Sequence, residues 1–73
     1  MNSQERLVYM ANQIARNLTA MPDDQAIATI ADHIKAFWDP RMKAMILDDT
    51  GKALTPVARA AIERLRADRM APS

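Results

Sequence analysis

Three of the four prolines divide this chain into short segments, and this division restricts the folds that it can adopt. Proline fixes its own backbone angle, lacks an amide hydrogen and pushes the preceding residue out of helical geometry, so a helix ends before a proline or begins at it. Pro22 ends a first helix. Asp39-Pro40 ends a second and begins a third, and Thr55-Pro56 begins a fourth, because each pair joins an N-cap side chain to a proline suited to the first helical position. The prolines therefore predict three to four short helices.

Apolar residues recur at steps of three and four between these prolines, which is the pattern of helices that bury one face. In the first helix, predicted from Asn2 to about Ala20, the core positions are Leu7, Met10, Ala11, Ile14, Leu18 and Met21. In the second helix, capped by Asp23 or Asp24, they are Ile27, Ile30, Ala31, Ile34, Phe37 and Trp38.

The second half of the chain continues this pattern. The core positions of the third helix are Met42, Met45, Ile46 and Leu47, and those of the fourth are Val57, Ala58, Ala61, Ile62 and Leu65. No segment alternates with the period of a strand. The sequence predicts an all-α fold, a small bundle of three to four short helices joined by proline-marked turns. We expect one helical domain over residues 1–73, with a tail that frays from about residue 68 to residue 73.

Composition argues against most chemical functions. A chain of 73 residues builds a core worth roughly 3–5 kcal/mol unless a disulfide, a metal or a partner adds to it. The chain has no cysteine and one histidine, so we expect no catalytic, cofactor-binding or metal-binding residue. The net charge of +1 and the absence of a long apolar run point away from nucleic acid and from membranes. We expect a cytoplasmic protein that works by packing against a partner.

The densest group of candidate binding residues surrounds the second of these prolines: His33, Phe37, Trp38, Asp39, Arg41 and Met42. Phe37 and Trp38 are adjacent, so on a helix they point about 100° apart and one of them is exposed unless something covers it. An exposed aromatic residue near Arg41 has the composition of an interface hot spot. The alternative is that both rings are buried between the helices.

Two members of this group also have structural interpretations. His33 lies one turn before Phe37, and a histidine in such a position is more commonly a packed, hydrogen-bonded side chain than a catalytic one. To act as a general base it would need a nucleophile nearby, and the sequence offers none. Arg41 falls in the first turn of the third helix, where a cation opposes the helix dipole by some tenths of a kcal/mol. Either Asp39 compensates this charge locally, or a carboxylate or phosphate on a partner does.

A second candidate binding surface lies on the first helix, opposite its apolar stripe: Tyr9, Asn12, Gln13 and Arg16. Amide side chains in such a position can hydrogen-bond the backbone of a partner. A solvated polar face is the simpler interpretation.

The basic last helix leaves a helix-turn-helix nucleic-acid-binding protein as a further alternative. Its arginines are Arg59, Arg64, Arg66 and Arg69. Glu63 and Asp68 interrupt them, which favours an ordinary soluble face over a phosphate-binding stripe.

Two blocks of the sequence resemble a known family. One reads L-V-x-M-A-N-Q-I-A over residues 7–15, and the other is His33 followed by F-W-D-P-R-M over residues 37–42. Both resemble the signature blocks of the delta subunit of NAD-dependent formate dehydrogenases. A looser similarity continues through Leu54, Pro56, Val57 and Leu65. Residues 17–28 carry no such signature, so the resemblance constrains the connection between the first two helices least.

The resemblance implies a non-catalytic accessory subunit of a cytoplasmic formate dehydrogenase complex. In that family the alpha subunit carries a molybdenum bis(molybdopterin guanine dinucleotide) cofactor and iron–sulfur clusters, and beta and gamma subunits, with FMN, pass electrons to NAD. The delta subunit has no cofactor of its own and is expected to dock on alpha, where it supports assembly, cofactor loading or stability. A dissociable chaperone for the molybdenum cofactor needs the same docking surface, so subunit and chaperone stay open as alternatives.

Overall fold

Four helices make up the described part of the fold, and the last three begin at a proline or directly after one. The computed structural model describes residues 2–70, the last of them by its backbone alone. The helices are α1 (Ser3–Asn17), α2 (Asp23–Phe37), α3 (Pro40–Leu47) and α4 (Pro56–Met70). The described residues contain no strand, which confirms the predicted all-α fold. Of the tail predicted to fray, residues 68–70 belong to α4 and residues 71–73 lie outside the described part of the chain.

Side-chain caps fix the starts of α1 and α4. The Asn2 side chain accepts a hydrogen bond from the Glu5 amide at 2.8 Å. The Thr55 hydroxyl accepts one from the Ala58 amide at the longer distance of 3.4 Å. Each cap satisfies an amide that has no partner within its own helix, so both helices start where the sequence predicted.

α2 starts differently from the prediction. Pro22 occupies its N-cap position and makes no side-chain hydrogen bond there, so neither Asp23 nor Asp24 is the cap. Both aspartates lie within the first turn, where the positive end of the helix dipole stabilises carboxylates. The prediction of an aspartate cap was wrong because the proline itself takes the position before the first helical residue.

The core lies mainly between α2 and α4, which share the most extensive contact in the fold. The largest fully buried side chains are Ile30, Ile34, Ile46 and Ile62. Ala11, Ala58 and Ala61 are equally inaccessible to solvent, and their small side chains let neighbouring helices approach closely. Isoleucine and alanine thus fill the centre of the core.

α1 turns a slightly different face to the core than its pattern predicted. Its buried residues are Leu7, Val8, Ala11 and Ala15. Met10, Ile14 and Leu18, which the pattern also placed in the core, are only partly buried. The buried stripe is therefore rotated toward Val8 and Ala15, and Met10 keeps an accessible flank.

Arginines of the last helix bind the end of α3 and the α3–α4 loop, residues 48–55. Gly51 is buried and has φ of +83°, in the left-handed region that suits glycine. Arg59 donates its Nε–H to the Gly51 carbonyl at 3.0 Å, and Arg66 donates from Nη2 to the Leu47 carbonyl at 2.6 Å. Because Leu47 ends α3, Arg66 places a cation at the negative end of that helix.

Candidate partner-binding surfaces

α2 ends and α3 begins at a sharp corner formed by residues 37–42, which we call the corner. Trp38 is the C-cap of α2, and its backbone is extended at φ −83° and ψ 137°. Asp39 is the N-cap of α3, and its side chain accepts a hydrogen bond from the Met42 amide at 2.8 Å. The predicted Asp39-Pro40 helix start is thereby confirmed. Backbone and cap hydrogen bonds fix both sides of the corner.

The two aromatic residues at the corner have opposite surroundings. Trp38 keeps 5% of its accessible surface, whereas Phe37 keeps 76%. Of the two alternatives that the sequence left open, one exposed ring or two buried rings, the structure has the first, and the placement of Phe37 in the core was wrong. Because α2 ends at Phe37, Trp38 leaves the helical path and its ring joins the core cluster, while Phe37 stays on the last turn with its ring in solvent.

His33 extends the exposed surface of Phe37. The two ring centroids lie 4.9 Å apart, with an interplanar angle of 38°. The two rings are tilted against each other rather than stacked, and His33 is exposed, not buried as the commoner interpretation of the sequence had it. Together the two rings form an exposed aromatic pair on the last turns of a helix, which is the kind of surface that protein interfaces use as an anchor.

A groove of about 420 Å³ runs between α1 and α3, beside the corner. Its lining consists of four apolar residues, two arginines, one serine and one aspartate: Leu7, Met10, Met42, Met45, Arg6, Arg41, Ser3 and Asp39. The three methionines are partly buried against the core, and both arginines are exposed. We call this feature the methionine groove. It combines an adaptable apolar floor with a basic rim.

Arg41 belongs to the rim of this groove and lies in the first turn of α3. The local acid offered by the sequence is Asp39, which also lines the groove. The carboxylate of Asp39 accepts the Met42 amide as the helix cap. Its capping role accounts for Asp39, whereas the exposed charge of Arg41 opposes the helix dipole.

Asn12 has an internal role rather than an outward one. Its Nδ2 donates to the Ala53 carbonyl at 2.9 Å, and its Oδ1 accepts from the Thr55 amide at 2.9 Å. The side-chain amide therefore ties α1 to the α3–α4 loop. Because both of its polar atoms are engaged within the chain, we leave Asn12 out of the surfaces proposed below.

The other three polar candidates on α1 face outward. Tyr9 is 54% exposed, and its hydroxyl accepts a hydrogen bond from Nε2 of Gln13 at 3.0 Å. Arg16 is exposed as well. Their part in binding a partner stays a prediction.

Gln4 was missed by the sequence reasoning. Its Nε2 donates to the Met45 carbonyl at 3.0 Å and to Oδ1 of Asp49 at 2.9 Å, so it fastens the start of α1 to the end of α3. A signal for this role exists, because Gln4 lies one turn before Val8 on the buried stripe. A polar residue on an apolar stripe needs a hydrogen-bonding partner.

Two further observations concern metal sites and membrane spans in the described residues. Within residues 2–70, no cluster of three or more histidine, aspartate or glutamate side chains is arranged to hold a metal ion. Over the same residues, no helix combines the length and apolar character that crossing a bilayer requires.

These features define a small four-helix protein with an exposed aromatic corner and a methionine groove with a basic rim. The chain belongs to the NADH-dependent formate dehydrogenase delta subunit family, FdsD, whose profile matches residues 6–62. Comparison with curated proteins gives no significant match, and neither does comparison with solved structures. The family match confirms the resemblance carried by residues 7–15 and 37–42 and associates the chain with a formate dehydrogenase complex.

Proposed function

We propose that the chain is a non-catalytic accessory subunit of a cytoplasmic NAD-dependent formate dehydrogenase. In this proposal it docks on the molybdenum-containing alpha subunit and supports the assembly, cofactor loading or stability of that subunit. Membership of the delta subunit family supports the link to the complex. The bis(molybdopterin guanine dinucleotide), the iron–sulfur clusters and FMN then belong to alpha, beta and gamma, and this chain contributes contacts alone.

The exposed ring of Phe37 is the observation that carries the docking proposal. With 76% of its surface accessible, it forgoes much of the roughly 1.5–3 kcal/mol that burying a phenylalanine side chain gives. The buried Trp38 and the Asp39 cap hold the backbone beside it, so the position from which the ring projects is fixed. A preorganised backbone loses little conformational entropy on binding, which favours a docking role.

The arginines of α4 favour a protein partner over nucleic acid. Arg59 donates to the Gly51 carbonyl at 3.0 Å and Arg66 to the Leu47 carbonyl at 2.6 Å. Half of the four arginines of this helix are thus engaged with the chain's own backbone. Nucleic-acid binding depends on cations that are free to neutralise phosphates, so the engaged pair weakens that alternative.

Co-purification with the alpha subunit tests the docking proposal. We expect Phe37→Ala to reduce the alpha subunit recovered with the tagged chain about tenfold, the effect of losing a contact worth about 1.4 kcal/mol. Arg64→Ala is the matched control, because it also removes a large exposed side chain from a helix but lies far along the sequence from the corner. Undiminished recovery with Phe37→Ala would assign docking to another surface. Trp38→Ala is unsuitable for this test because the Trp38 ring is part of the core.

The amount of this chain in the purified, active holoenzyme separates a subunit from a dissociable chaperone. Quantitative mass spectrometry of the holoenzyme gives the ratio of this chain to alpha. We expect equimolar amounts, as for a resident subunit. Trace amounts would instead indicate a chaperone that leaves after the molybdenum cofactor is loaded.

A further inference from the structure

We infer that the methionine groove binds a short segment of the partner protein that carries apolar side chains and at least two carboxylates. The inference rests on the proposed docking and adds to it a second contact, distinct from the exposed rings of the corner. The surface and the kind of segment it takes follow from the floor and the rim of the groove.

The floor of the groove suits apolar side chains. Three of the six methionines of the chain meet there, Met10 from α1 and Met42 and Met45 from α3. Each packs against the core on one side and keeps an accessible flank on the other. Flexible thioether side chains adapt to the shape of what they contact, and they recur at surfaces that bind apolar segments. A volume of about 420 Å³ is within the range of about 300–1,000 Å³ typical of binding clefts.

The rim of the groove selects the charge of the segment. Arg6 on α1 and Arg41 on α3 line it from the two opposite helices, and both are exposed. Arg41 opposes the dipole at the positive end of α3, an effect that the Asp39 carboxylate at the N-cap offsets in part, and its exposed guanidinium is placed to bind an anion of a partner. Guanidinium groups pair with carboxylates through two parallel hydrogen bonds, so one acidic side chain over each arginine completes the contact.

A second groove of similar size, about 390 Å³, lies between α3 and α4 and fits this chemistry less well. Lys35, Lys43 and Arg69 line it together with Asp68, so each groove has one acid among its basic residues, but only the methionine groove has two arginines, which pair with carboxylates bidentately. The ammonium group of Lys43 also donates a hydrogen bond to the Lys35 carbonyl at 3.2 Å, so one of its N–H groups is already bonded within the chain. No methionine lines this groove among the described residues. The methionine groove is the better candidate.

Charge reversal at the rim tests the inference in the assembled complex. We expect the Arg6→Glu/Arg41→Glu double variant to raise the Kd for the alpha subunit about 100-fold at low salt, about tenfold for each lost pair. Arg64→Glu makes the same charge change on an exposed residue of α4, and we expect it to alter the Kd less than threefold. The difference between the two variants should shrink as salt is raised. An unchanged Kd for a folded double variant would overturn the inference.

Cross-linking identifies the segment directly. Ser3 lines the groove and is exposed, so a photoreactive p-benzoylphenylalanine placed there leaves the floor and the rim intact. We expect it to label one peptide of the alpha subunit with two or more acidic residues among apolar ones. A synthetic copy of that peptide should compete with alpha for binding, and a copy with glutamine and asparagine in place of its acids should compete at least tenfold less well. Labelling of a peptide without acids, or of a second copy of this chain, would contradict the inference.

The two contacts can fail separately. If Phe37→Ala abolishes binding and the rim variants do not, the groove inference fails and the docking proposal stands. If the rim variants weaken binding and Phe37→Ala does not, the groove inference stands and the corner is not the anchor. If the unaltered chain does not bind alpha at all, both fail together.

Discussion

The two ends of α3 are held in different ways. At the C-terminal end, side chains from α1 and α4 reach the backbone of the last turn of α3 and of the α3–α4 loop: Gln4, Asn12, Arg59 and Arg66. At the N-terminal end, the Asp39 cap and the buried Trp38 hold the chain, and Phe37 and Arg41 stay exposed. One end uses polar side chains to close the fold, whereas the other leaves an apolar ring and a cation outside.

This difference separates side chains that stabilise the chain from side chains that are available to a partner. Asn12 is a polar residue opposite an apolar stripe, yet both of its amide atoms are engaged at 2.9 Å within the molecule. Phe37 is an apolar residue of the kind expected in a core, yet it is 76% exposed. In a domain of this size, an outward-facing polar residue is weak evidence of an interface, whereas a solvent-exposed aromatic ring is stronger evidence.

The largest effect that distinguishes the two neighbouring aromatic residues is expected from Trp38→Ala. Removing a buried aromatic ring costs about 3–5 kcal/mol, which equals the whole stability of a core this small. We expect this variant to be largely unfolded in urea titrations followed by far-UV circular dichroism. Phe37→Ala, one residue away and exposed, should shift the free energy of unfolding by about 0.5 kcal/mol or less. Equal losses for the two variants would contradict their assigned surroundings.

A smaller effect is expected from Gly51→Ala in the α3–α4 loop. The φ of +83° costs an alanine about 1–2 kcal/mol. The added Cβ would lie 3.5 Å from Nε of Arg59, an ordinary contact, so the cost is conformational rather than steric. Urea titration should show this loss, a smaller loss for Gly51→Asn because asparagine tolerates this region better, and almost none for the exposed Lys52→Ala. Wild-type stability in Gly51→Ala would refute the strained geometry.

Loss of the link between α1 and the α3–α4 loop should cost less again. Asn12→Ala removes two solvent-exposed hydrogen bonds, and we expect the free energy of unfolding to fall by about 1 kcal/mol or less, since water replaces part of what is lost. Gln13→Ala is the control, because its only protein partner among the described residues is the Tyr9 hydroxyl. It should change stability by about 0.3 kcal/mol or less. A comparable loss of unfolding free energy in both variants would contradict the role of Asn12 in joining α1 to the α3–α4 loop.

The smallest effect has the opposite sign. Arg41→Glu places an anion at the positive end of α3, so we expect it to raise the free energy of unfolding by about 0.3–1 kcal/mol at low salt. The gain should shrink as the salt concentration increases. Arg64→Glu lies away from either end of α4 and places a like charge four residues before Asp68, so we expect it to lower the free energy of unfolding by about 0.5 kcal/mol or less, the opposite sign. A destabilised Arg41→Glu would show that Arg41 supports the fold, which would remove one reason for assigning its charge to a partner.

Local signals in the sequence predicted most of the fold. Pro40 and Pro56 each begin a helix, and Asp39 caps α3 as the cap-then-proline pattern requires. These signals work because each depends on a few neighbouring residues. Two local predictions were wrong: α1 ends at Asn17, before the predicted end near Ala20, and Pro22 itself takes the cap position at the start of α2.

The details of the candidate surfaces depended on contacts that local patterns do not contain. Gln4 and Asn12 find partners 41 to 45 residues away along the chain, and no local rule links them. Which of the two rings, Phe37 or Trp38, is buried depends on the exact residue at which α2 ends. The ends of helices are difficult to predict to a single residue. The methionine groove needs α1 and α3 side by side, which the spacing of methionines in the sequence does not reveal.

The long sequence separation of the Gln4 and Asn12 hydrogen bonds has a consequence for how the chain folds and is made. Their partners lie as far along as Asp49 and Thr55, so these contacts close only after most of the chain has left the ribosome. Contacts between residues distant in the sequence slow folding, and they make the helices fold together in one cooperative transition. We expect no peptide cut from the corner to keep its geometry, so a partner that recognises this shape recognises a completed chain.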